Sequence, residues 1–244
     1  MPQHITPEQI DEWLATHNLA DMDAFAEHVR QVTRNHRICL EAVLGITRRE
    51  LTELGEGSSR LVADIARDHQ HKSPVSIVEK ILRKPGELSL GNFAAEIDDL
   101  VRFRILCNYL GDVERVVERL AASQTLLRDF DIVSSEDRIW EVRLPVEDAL
   151  QEDRRRRLRL SGVRAHYFVF ESRRFRKVKM EVQVATLLEH AWDQKDHHLV
   201  YEPERTGEPI PDRFRLRVKA VSDLLYVADE FLEALRRERE GGQA

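Results

Sequence analysis

Between residues 177 and 184, apolar and polar side chains alternate without a break, which favours a β-strand with one buried face. The segment 166–171 is also rich in aromatic and β-branched residues, and a link of hairpin length separates the two segments. We therefore expect two neighbouring strands whose apolar faces pack on a core. The other face of the second strand carries Lys177, Lys179, Glu181 and Gln183, and by pattern alone such a face is more often solvated than a site.

Helical periodicity dominates both ends of the chain, whereas strand-like segments lie in its middle. Helices are expected from Thr6-Pro7, over about 23–44 and, amphipathically, over 213–238. Between them we expect strands at 100–107, 130–133, 166–171 and 177–184, helices at 73–82, 111–120 and 187–198, and a loop at 203–211. This order predicts an α+β fold, a mixed β-sheet flanked by helices. Its parts are a helical N-terminal extension (1–60), a core (61–205) and a C-terminal helix packed on that core (206–244).

The composition narrows the classes of function. Lys and Arg number 38 against 44 Asp and Glu, so the net charge is -6. That balance excludes a protein that binds nucleic acid over a wholly basic surface, but it allows a local basic patch. The 2 cysteines cannot form a disulfide framework, so a reducing compartment is the default. No stretch approaches the roughly 20 apolar residues of a membrane span, and the N-terminus does not resemble a signal peptide. We expect a cytoplasmic protein without a membrane partner.

Three segments carry residue types that suit phosphate chemistry. Lys72, Ser76 and Lys80 lie around a predicted helix start, where free N–H groups and the helix dipole attract phosphate. Asp99, at the start of a predicted strand, could bind Mg²⁺, which favours carboxylate and phosphate oxygens. The arginine run 154–159 could grip a polyphosphate. Each pattern also has a commoner explanation, as a surface helix, a loop end or a solvated loop.

The order of these segments is more specific than any one of them. Lys72, Ser76 and Lys80 are followed by Asp-Leu-Val-Arg-Phe-Arg at 99–104, Gly-Val-Arg-Ala at 162–165, Glu-Val-Gln-Val-Ala-Thr at 181–186, and then Trp192, His197 and Tyr201. From about Gln70 to Tyr201 this series resembles the synthetase domain of the RelA/SpoT family, whose members make the alarmone (p)ppGpp. The chain looks like a single-domain small alarmone synthetase or a toxin-like small member, and the resemblance implies a nucleotidyltransferase-like fold.

The resemblance also implies an activity and a set of site residues. It implies a pyrophosphokinase that moves the β,γ-diphosphate of ATP to the 3′-hydroxyl of GDP or GTP and releases AMP, with Mg²⁺ as cofactor. The resemblance assigns catalysis and Mg²⁺ binding to Asp99 and Glu181. It assigns ATP binding to Gln70, Lys72, Ser76, Lys80 and Arg104. It assigns acceptor binding to Arg159, Gly162, Arg164, His166, Tyr167, Gln183 and His197.

Three positions depart from the pattern of that family. Gln70 replaces an arginine that stacks on adenine, Val163 replaces a tyrosine that stacks on the acceptor base, and Ala185 replaces an arginine. His166 or Tyr167 could restore the stacking. The acceptor therefore stays open, with the tRNA 3′ end or an adenine nucleotide as alternatives to GDP and GTP. A catalytically inactive protein that binds nucleotide or a partner is a further alternative, and a cognate antitoxin and a homo-oligomer are partners that the resemblance leaves open.

Overall fold

The computed structural model describes residues 5–55, 61–67, 70–138 and 163–241. Three helices open this part of the chain, strands and helices follow, and a long helix closes it. The helices are α1 (Pro7–Thr16), α2 (Met22–Val32), α3 (Arg34–Gly55), α4 (Pro74–Arg83), α5 (Phe93–Glu96), α6 (Leu110–Ala121), α7 (Gln124–Asp129), α8 (Leu187–Asp196), α9 (Glu202–Arg205) and α10 (Asp212–Gly241), with a π-helical turn at His197–Tyr201. The strands are β1 (Val62–Ala66), β2 (Arg102–Cys107), β3 (Phe130–Asp137), β4 (His166–Ser172) and β5 (Lys179–Thr186).

The described strands form one mixed sheet in the order β1-β2-β5-β4-β3. β2 and β5 are parallel, and the other neighbouring pairs are antiparallel. Residues directly opposite each other on paired strands point to the same face of a sheet. Arg104 lies opposite Gln183, which lies opposite Tyr167, so these three polar side chains share one face. The mixed sheet flanked by helices that the sequence predicts is confirmed.

The other face of the sheet forms the main core. Alternate residues of the central strands pack there against α3, α6 and α7. The apolar side chains of Met180, Val182 and Val184 are fully buried, so the alternation in β5 predicted the buried face correctly. The polar residues of the central strands are left on the opposite face, where a site can form.

A second core joins the N-terminal helices to α4. Trp13 of α1 and Phe25 of α2 pack with Ile77 and Val78 of α4 and with Phe93 of α5. The rings of Trp13 and Phe25 meet edge to face with their centroids 5.5 Å apart. The position of α4 therefore depends on burial against α1 and α2.

The long C-terminal helix is held on the core mainly through polar contacts. The Trp192 indole donates to the carbonyl of Val218 at 3.0 Å, and Arg236 forms an ion pair with Asp112 at 2.7 Å. A Cβ added at Gly111 would come within 2.7 Å of Nη2 of Arg236, so a glycine allows this close approach. Among the helices described, α10 included, none is both long and apolar enough to cross a membrane.

Some local predictions were wrong. The helical pattern over 23–44 is divided at Thr33, whose hydroxyl donates to the carbonyl of Val29 and caps α2. The predicted loop 203–211 contains the end of α9, because Pro203 suits the first turn of a helix. β5 begins two residues later than expected, since Lys177 has a φ of 60°. The edge strand β1 was not predicted, because its few residues lack strict alternation.

Candidate functional site

A cleft of about 400 Å³ opens on the polar face of the sheet. The central strands form its floor, and α8 with the π-helical turn forms one wall. It is lined by Ala66, Arg102, Phe103, Arg104, Gln183, His190, Asp193, Gln194 and His197.

Two lysines converge on Asp99 just before β2. Lys72 Nζ donates to Asp99 Oδ2 at 2.6 Å, and Lys80 Nζ donates to Asp99 Oδ1 at 2.8 Å. Burial raises the pKa of Asp99, but the two ammonium groups outweigh burial and lower this pKa to about 2. Burial also lowers the pKa of Lys72, and the charge of Asp99 opposes that effect. One ionised carboxylate between two ammonium groups leaves a formal positive charge in excess, which suits a phosphate ligand.

Backbone pairing brings Lys72 to this position. Arg102 N donates to the carbonyl of Gln70, and Lys72 N donates to the carbonyl of Leu100, both at 2.9 Å. The segment before α4 therefore runs antiparallel to the entry of β2. The side-chain Nε2 of Gln70 is buried there and finds no hydrogen-bond partner among the described residues. A buried amide donor without a partner is uncommon in folded proteins.

The start of α4 places Lys80 and Ser76. Ser73 is the N-cap and accepts from Ser76 N at 3.2 Å, and Pro74 occupies the first turn. The Ser76 hydroxyl lies 2.8 Å from that of Ser73, at the N-terminus of the helix. Lys80 follows Ser76 by about one helical turn, and its Nζ contacts Asp99.

Glu181 lies directly opposite Arg102 in the β2–β5 register. Its Oε1 accepts a hydrogen bond from Gln183 Nε2 at 2.6 Å. Burial raises the pKa of Glu181, the hydrogen bond from Gln183 opposes this, and the negative charge of Asp99 raises the pKa further. A buried carboxylate with a raised pKa is a better proton acceptor than an exposed one.

Arg104 connects Gln183 to α8 across the cleft. Its Nε donates to Gln183 Oε1 at 2.7 Å, Nη1 lies 3.1 Å from Nδ1 of His190, and Nη2 lies 2.8 Å from Asp193 Oδ2. A chain of contacts therefore runs from Glu181 to α8. The sequence reasoning missed His190 and Asp193, although their spacing of three places them on one face of the helix predicted there.

Tyr167 and His166 point to opposite faces of the sheet. Tyr167 shares the open face with Gln183, and the guanidinium of Arg138 lies 4.3 Å from the centre of its ring. His166 faces the core, where its ring centroid lies 4.5 Å from that of Phe168. Of the two candidates for base stacking, the structure places Tyr167 on the face of the cleft. Arg138 was not predicted, since no motif includes it.

Arg164 lies away from the cleft, under α10. Its guanidinium forms an ion pair with Asp223, and its Nε donates to Ser222 at 3.3 Å. The same group lies 4.7 Å from the centre of the Tyr226 ring. The structure therefore does not bring Arg164 or His166 together with Gln183, as the predicted acceptor set requires. The predicted acceptor residues Arg159 and Gly162 lie outside the described residues.

His197 begins the π-helical turn that lines the cleft. Its Nδ1 lies 3.3 Å from Oε1 of Glu202, and its ring centroid lies 4.8 Å from that of Tyr201. Single π-helical turns are frequent at functional sites because they re-aim the side chains they carry.

The carboxylates of Asp99 and Glu181 suit a metal ion that is bound partly by the protein and partly by the substrate. Within the described ranges, no group of three or more His, Cys, Asp or Glu side chains is arranged to hold a metal ion. Mg²⁺ is usually bound through one or two carboxylates and completes its octahedral shell with substrate phosphates and water. Asp99 and Glu181, whose charges interact, fit that mode rather than an all-protein cage.

Comparison with known proteins places this site in a family context. The family described as "Region found in RelA / SpoT proteins" matches residues 69–206. GTP pyrophosphokinase YwaC of Bacillus subtilis (strain 168) is 24% identical over 172 residues, covering 68% of this chain and 71% of that protein. GTP pyrophosphokinase YjbM of the same organism is 26% identical over 178 residues, covering 71% and 72%. The crystal structure of small alarmone synthetase 1 from Bacillus subtilis bound to its product pppGpp has a TM-score of 0.65 and 22% identity, covering 87% of this chain and 97% of that one.

Proposed function

The chain belongs to the RelA/SpoT family, and from that membership we propose that it transfers the β,γ-diphosphate of ATP to the 3′-hydroxyl of GDP or GTP and releases AMP. Two of its relatives are named GTP pyrophosphokinases, and a structural neighbour is bound to its product pppGpp. The structural observation that carries the proposal is the cluster of Lys72, Asp99 and Lys80 beside Glu181, on the open face of the sheet.

On the donor side, the positive charges bind and orient ATP. Lys72 and Lys80 offset the charge of the phosphates, and the start of α4 at Ser76 offers backbone and hydroxyl donors. The unpartnered Nε2 of Gln70 is a further donor for the nucleotide. Arg104, held by Gln183 and Asp193, completes the donor side from the floor of the cleft.

In the transfer step, Glu181 accepts the proton of the acceptor 3′-hydroxyl. The freed oxygen forms a bond to the β-phosphorus, the bond from that phosphorus to the oxygen shared with the α-phosphate breaks, and AMP leaves with the electron pair. Transfers of this class depend chiefly on positioning and on neutralisation of charge. The raised pKa of Glu181 suits the proton transfer, since it strengthens this carboxylate as a base.

Asp99 and Glu181 would hold the Mg²⁺ ion of the reaction. When bound, Mg²⁺ supplies charge neutralisation on the phosphate oxygens. The low pKa of Asp99 keeps this carboxylate ionised, as a metal ligand must be.

On the acceptor side, Tyr167 supplies the aromatic ring that Val163 does not. Stacking of a base on an aromatic side chain is worth about 1–3 kcal/mol. Arg138 packs on the ring of Tyr167 and holds it in place. Gln183 and His197 line the rest of the acceptor side, because both border the cleft.

The test is to incubate the full chain with ATP and Mg²⁺ and add GDP, GTP, ADP or deacylated tRNA in turn. AMP release and the mass of each acceptor are measured. A gain of one diphosphate on GDP or GTP is expected, and Glu87→Gln, which changes an exposed carboxylate paired with Lys84, should retain full activity. A gain on ADP or tRNA alone would contradict the proposed acceptor. Binding of ATP without AMP release for any acceptor would contradict the proposed reaction.

A further inference from the structure

A chain of polar contacts joins Glu181 to a helix that lies outside the sheet. Glu181 and Gln183 belong to β5, Arg104 belongs to β2, and the chain ends at His190 and Asp193 of α8. The proposed reaction gives His190 and Asp193 no role of their own, although both line the cleft and both contact Arg104.

The partners of Gln183 fix the orientation of its side-chain amide. The oxygen of an amide only accepts hydrogen bonds, and its nitrogen only donates them. The guanidinium of Arg104 can only donate, and the ionised carboxylate of Glu181 can only accept. Oε1 of Gln183 must therefore face Arg104 Nε, 2.7 Å away, and its Nε2 must face Glu181 Oε1, 2.6 Å away. The opposite orientation would lose both hydrogen bonds.

The guanidinium of Arg104 is held in turn from its other side by α8. Its Nη2 pairs with Asp193 Oδ2 at 2.8 Å, and its Nη1 lies 3.1 Å from Nδ1 of His190. Because a guanidinium only donates, Nδ1 is the acceptor and the proton of the neutral ring is on Nε2. The side chain of Arg104 is 15% exposed, and charge-assisted hydrogen bonds are strong and directional at such a site.

The helix that carries these two groups is anchored to the strand that carries Glu181. Thr186 is both the last residue of β5 and the N-cap of α8, where its hydroxyl accepts from Glu189 N at 3.2 Å. On α8, Trp192 is 3% exposed, and its indole donates to the carbonyl of Val218. α8 is therefore a rigid support, and groups on rigid elements hold a site more precisely than groups on loops.

We propose that Asp193 and His190 are positioning residues of the reaction proposed above, on which this inference rests. They act through Arg104 and Gln183 to fix the direction of the Glu181 carboxylate. Because Oε1 of this carboxylate accepts from Gln183, Oε2 is the oxygen that takes the proton of the acceptor 3′-hydroxyl. The direction of Oε2 matters, since a misplaced catalytic group slows a reaction steeply.

Two simpler roles for Asp193 predict different results. If this carboxylate only docked α8 on the sheet, its removal would lower stability and leave kcat of the folded protein unchanged. If it acted only on ATP through Arg104, its removal would raise KM for ATP and leave kcat unchanged. A positioning role lowers kcat, because the proton transfer itself is impaired.

The first test measures kcat and KM for AMP formation from ATP and GDP. Asp193→Ala should lower kcat by about 10–100-fold, the usual effect of removing a group that orients a functional side chain. His190→Ala should lower kcat by a smaller factor, because it removes a neutral acceptor and no charge. Asp131→Ala is the control, since Asp131 is an exposed carboxylate paired with Arg173. A folded Asp193→Ala variant with the kcat of the parent would overturn the proposal.

A double-mutant cycle tests whether the effect of Asp193 passes through Gln183. Gln183→Leu removes the amide at similar volume and should itself lower kcat. Asp193→Ala added to Gln183→Leu should lower kcat by less than about twofold more, because the connection to Glu181 is already broken. If the two fold-changes multiply instead, Asp193 acts by another route and the proposal is wrong.

A third measurement does not depend on activity. In nitrogen-15 NMR, the Nε–H of Arg104, assigned by its absence in Arg104→Lys, should exchange with water at least about tenfold faster in Asp193→Ala than in the parent. Asp131→Ala should leave this exchange rate unchanged. AMP formation by the parent, with equal exchange in parent and Asp193→Ala, would contradict this inference alone. A parent that forms no AMP with any acceptor would contradict the proposed reaction and this inference with it.

Discussion

Two regions of the molecule bury charged groups, and they do so with different side chains. Just before β2, the strand that contributes to the floor of the cleft, the carboxylate of Asp99 is held by Lys72 and Lys80. Under α10, the guanidinium of Arg164 pairs with Asp223 and lies over the ring of Tyr226. Arg236 repeats this arrangement with Asp112 and the ring of Tyr109.

This difference in side chains distinguishes charged groups that can bind a ligand from charged groups that only stabilise the fold. A guanidinium engaged at its edges and on its face has few directions left for a ligand, whereas an ammonium is a point charge that can shift to a phosphate oxygen. The space between Arg164, Glu189 and Asp229 is about 10 Å³, against about 400 Å³ in the cleft. Buried charge therefore indicates a candidate site only where open volume lies beside it.

The largest effect is expected for Asp99→Asn, which removes the negative charge between the two lysines. We expect kcat for AMP formation to fall by about 10³-fold, because charge-stabilising groups in active sites contribute on that scale. Asp98→Asn is the matched control, since Asp98 is an exposed neighbour paired with Lys179. Turnover of Asp99→Asn close to that of the control would remove Asp99 from the site.

Arg164→Ala tests the other side of the comparison. Removal of one partner of a buried ion pair costs about 3–5 kcal/mol, so urea unfolding should show a loss of about 3 kcal/mol. Activity per folded molecule should stay unchanged. Arg173→Ala, which breaks an exposed pair with Asp131, should cost less than about 1 kcal/mol. Lost activity at full stability would return Arg164 to the acceptor site, as the sequence predicted.

A smaller effect is expected from the pH dependence of the contacts under α10. Burial raises the pKa of Asp229 to about 6, against the hydrogen bond from Thr186. Because an unfolded aspartate titrates near pH 4, the folded chain binds this proton more tightly. The contribution of Asp229 to stability is therefore greatest below about pH 4 and falls as the pH rises to about 6.

Asp229→Asn should remove the part of the pH dependence of stability that is due to Asp229. Urea unfolding between about pH 4 and 7 is expected to show a variant more stable than the parent by about 2 kcal/mol at the upper end. Asp196 and Glu189, whose pKa values burial raises to about 6 and about 8, titrate in both proteins, so the difference isolates Asp229. Equal slopes in parent and variant would contradict this assignment.

The Asp99 cluster and the region under α10 also differ in how far the sequence could predict them. Strict alternation predicted which face of β5 is buried, and hence that Glu181 and Gln183 share the other face. Alternation in β4 could also have shown that Tyr167 and His166 point to opposite faces, because Phe168 and Phe170, which share the face of His166, are buried in the core. Arg164 lies two residues before His166, so the same alternation places it on the side of His166 and not on that of Tyr167.

The rest depends on contacts between distant parts of the chain. Arg138 reaches Tyr167 only through the pairing of β3 with β4. The pairing of β1 with β2 likewise gives no periodic signal in the few residues of β1. The roles of Asp99, Glu181 and the lysines came from the resemblance to a family, and they stay predictions although the structure brings these side chains together.

In the proposed reaction, Glu181, beside the Asp99 cluster, removes the proton from the acceptor hydroxyl. The most direct measurement is a single-turnover rate of AMP formation from ATP and GDP, for the parent and for Glu181→Gln, with ATP affinity measured in parallel. The expected result is unchanged ATP binding with a rate lower by about 10²–10⁴-fold, the usual contribution of a general base. A Glu181→Gln variant that forms AMP at the parent rate would contradict the claim.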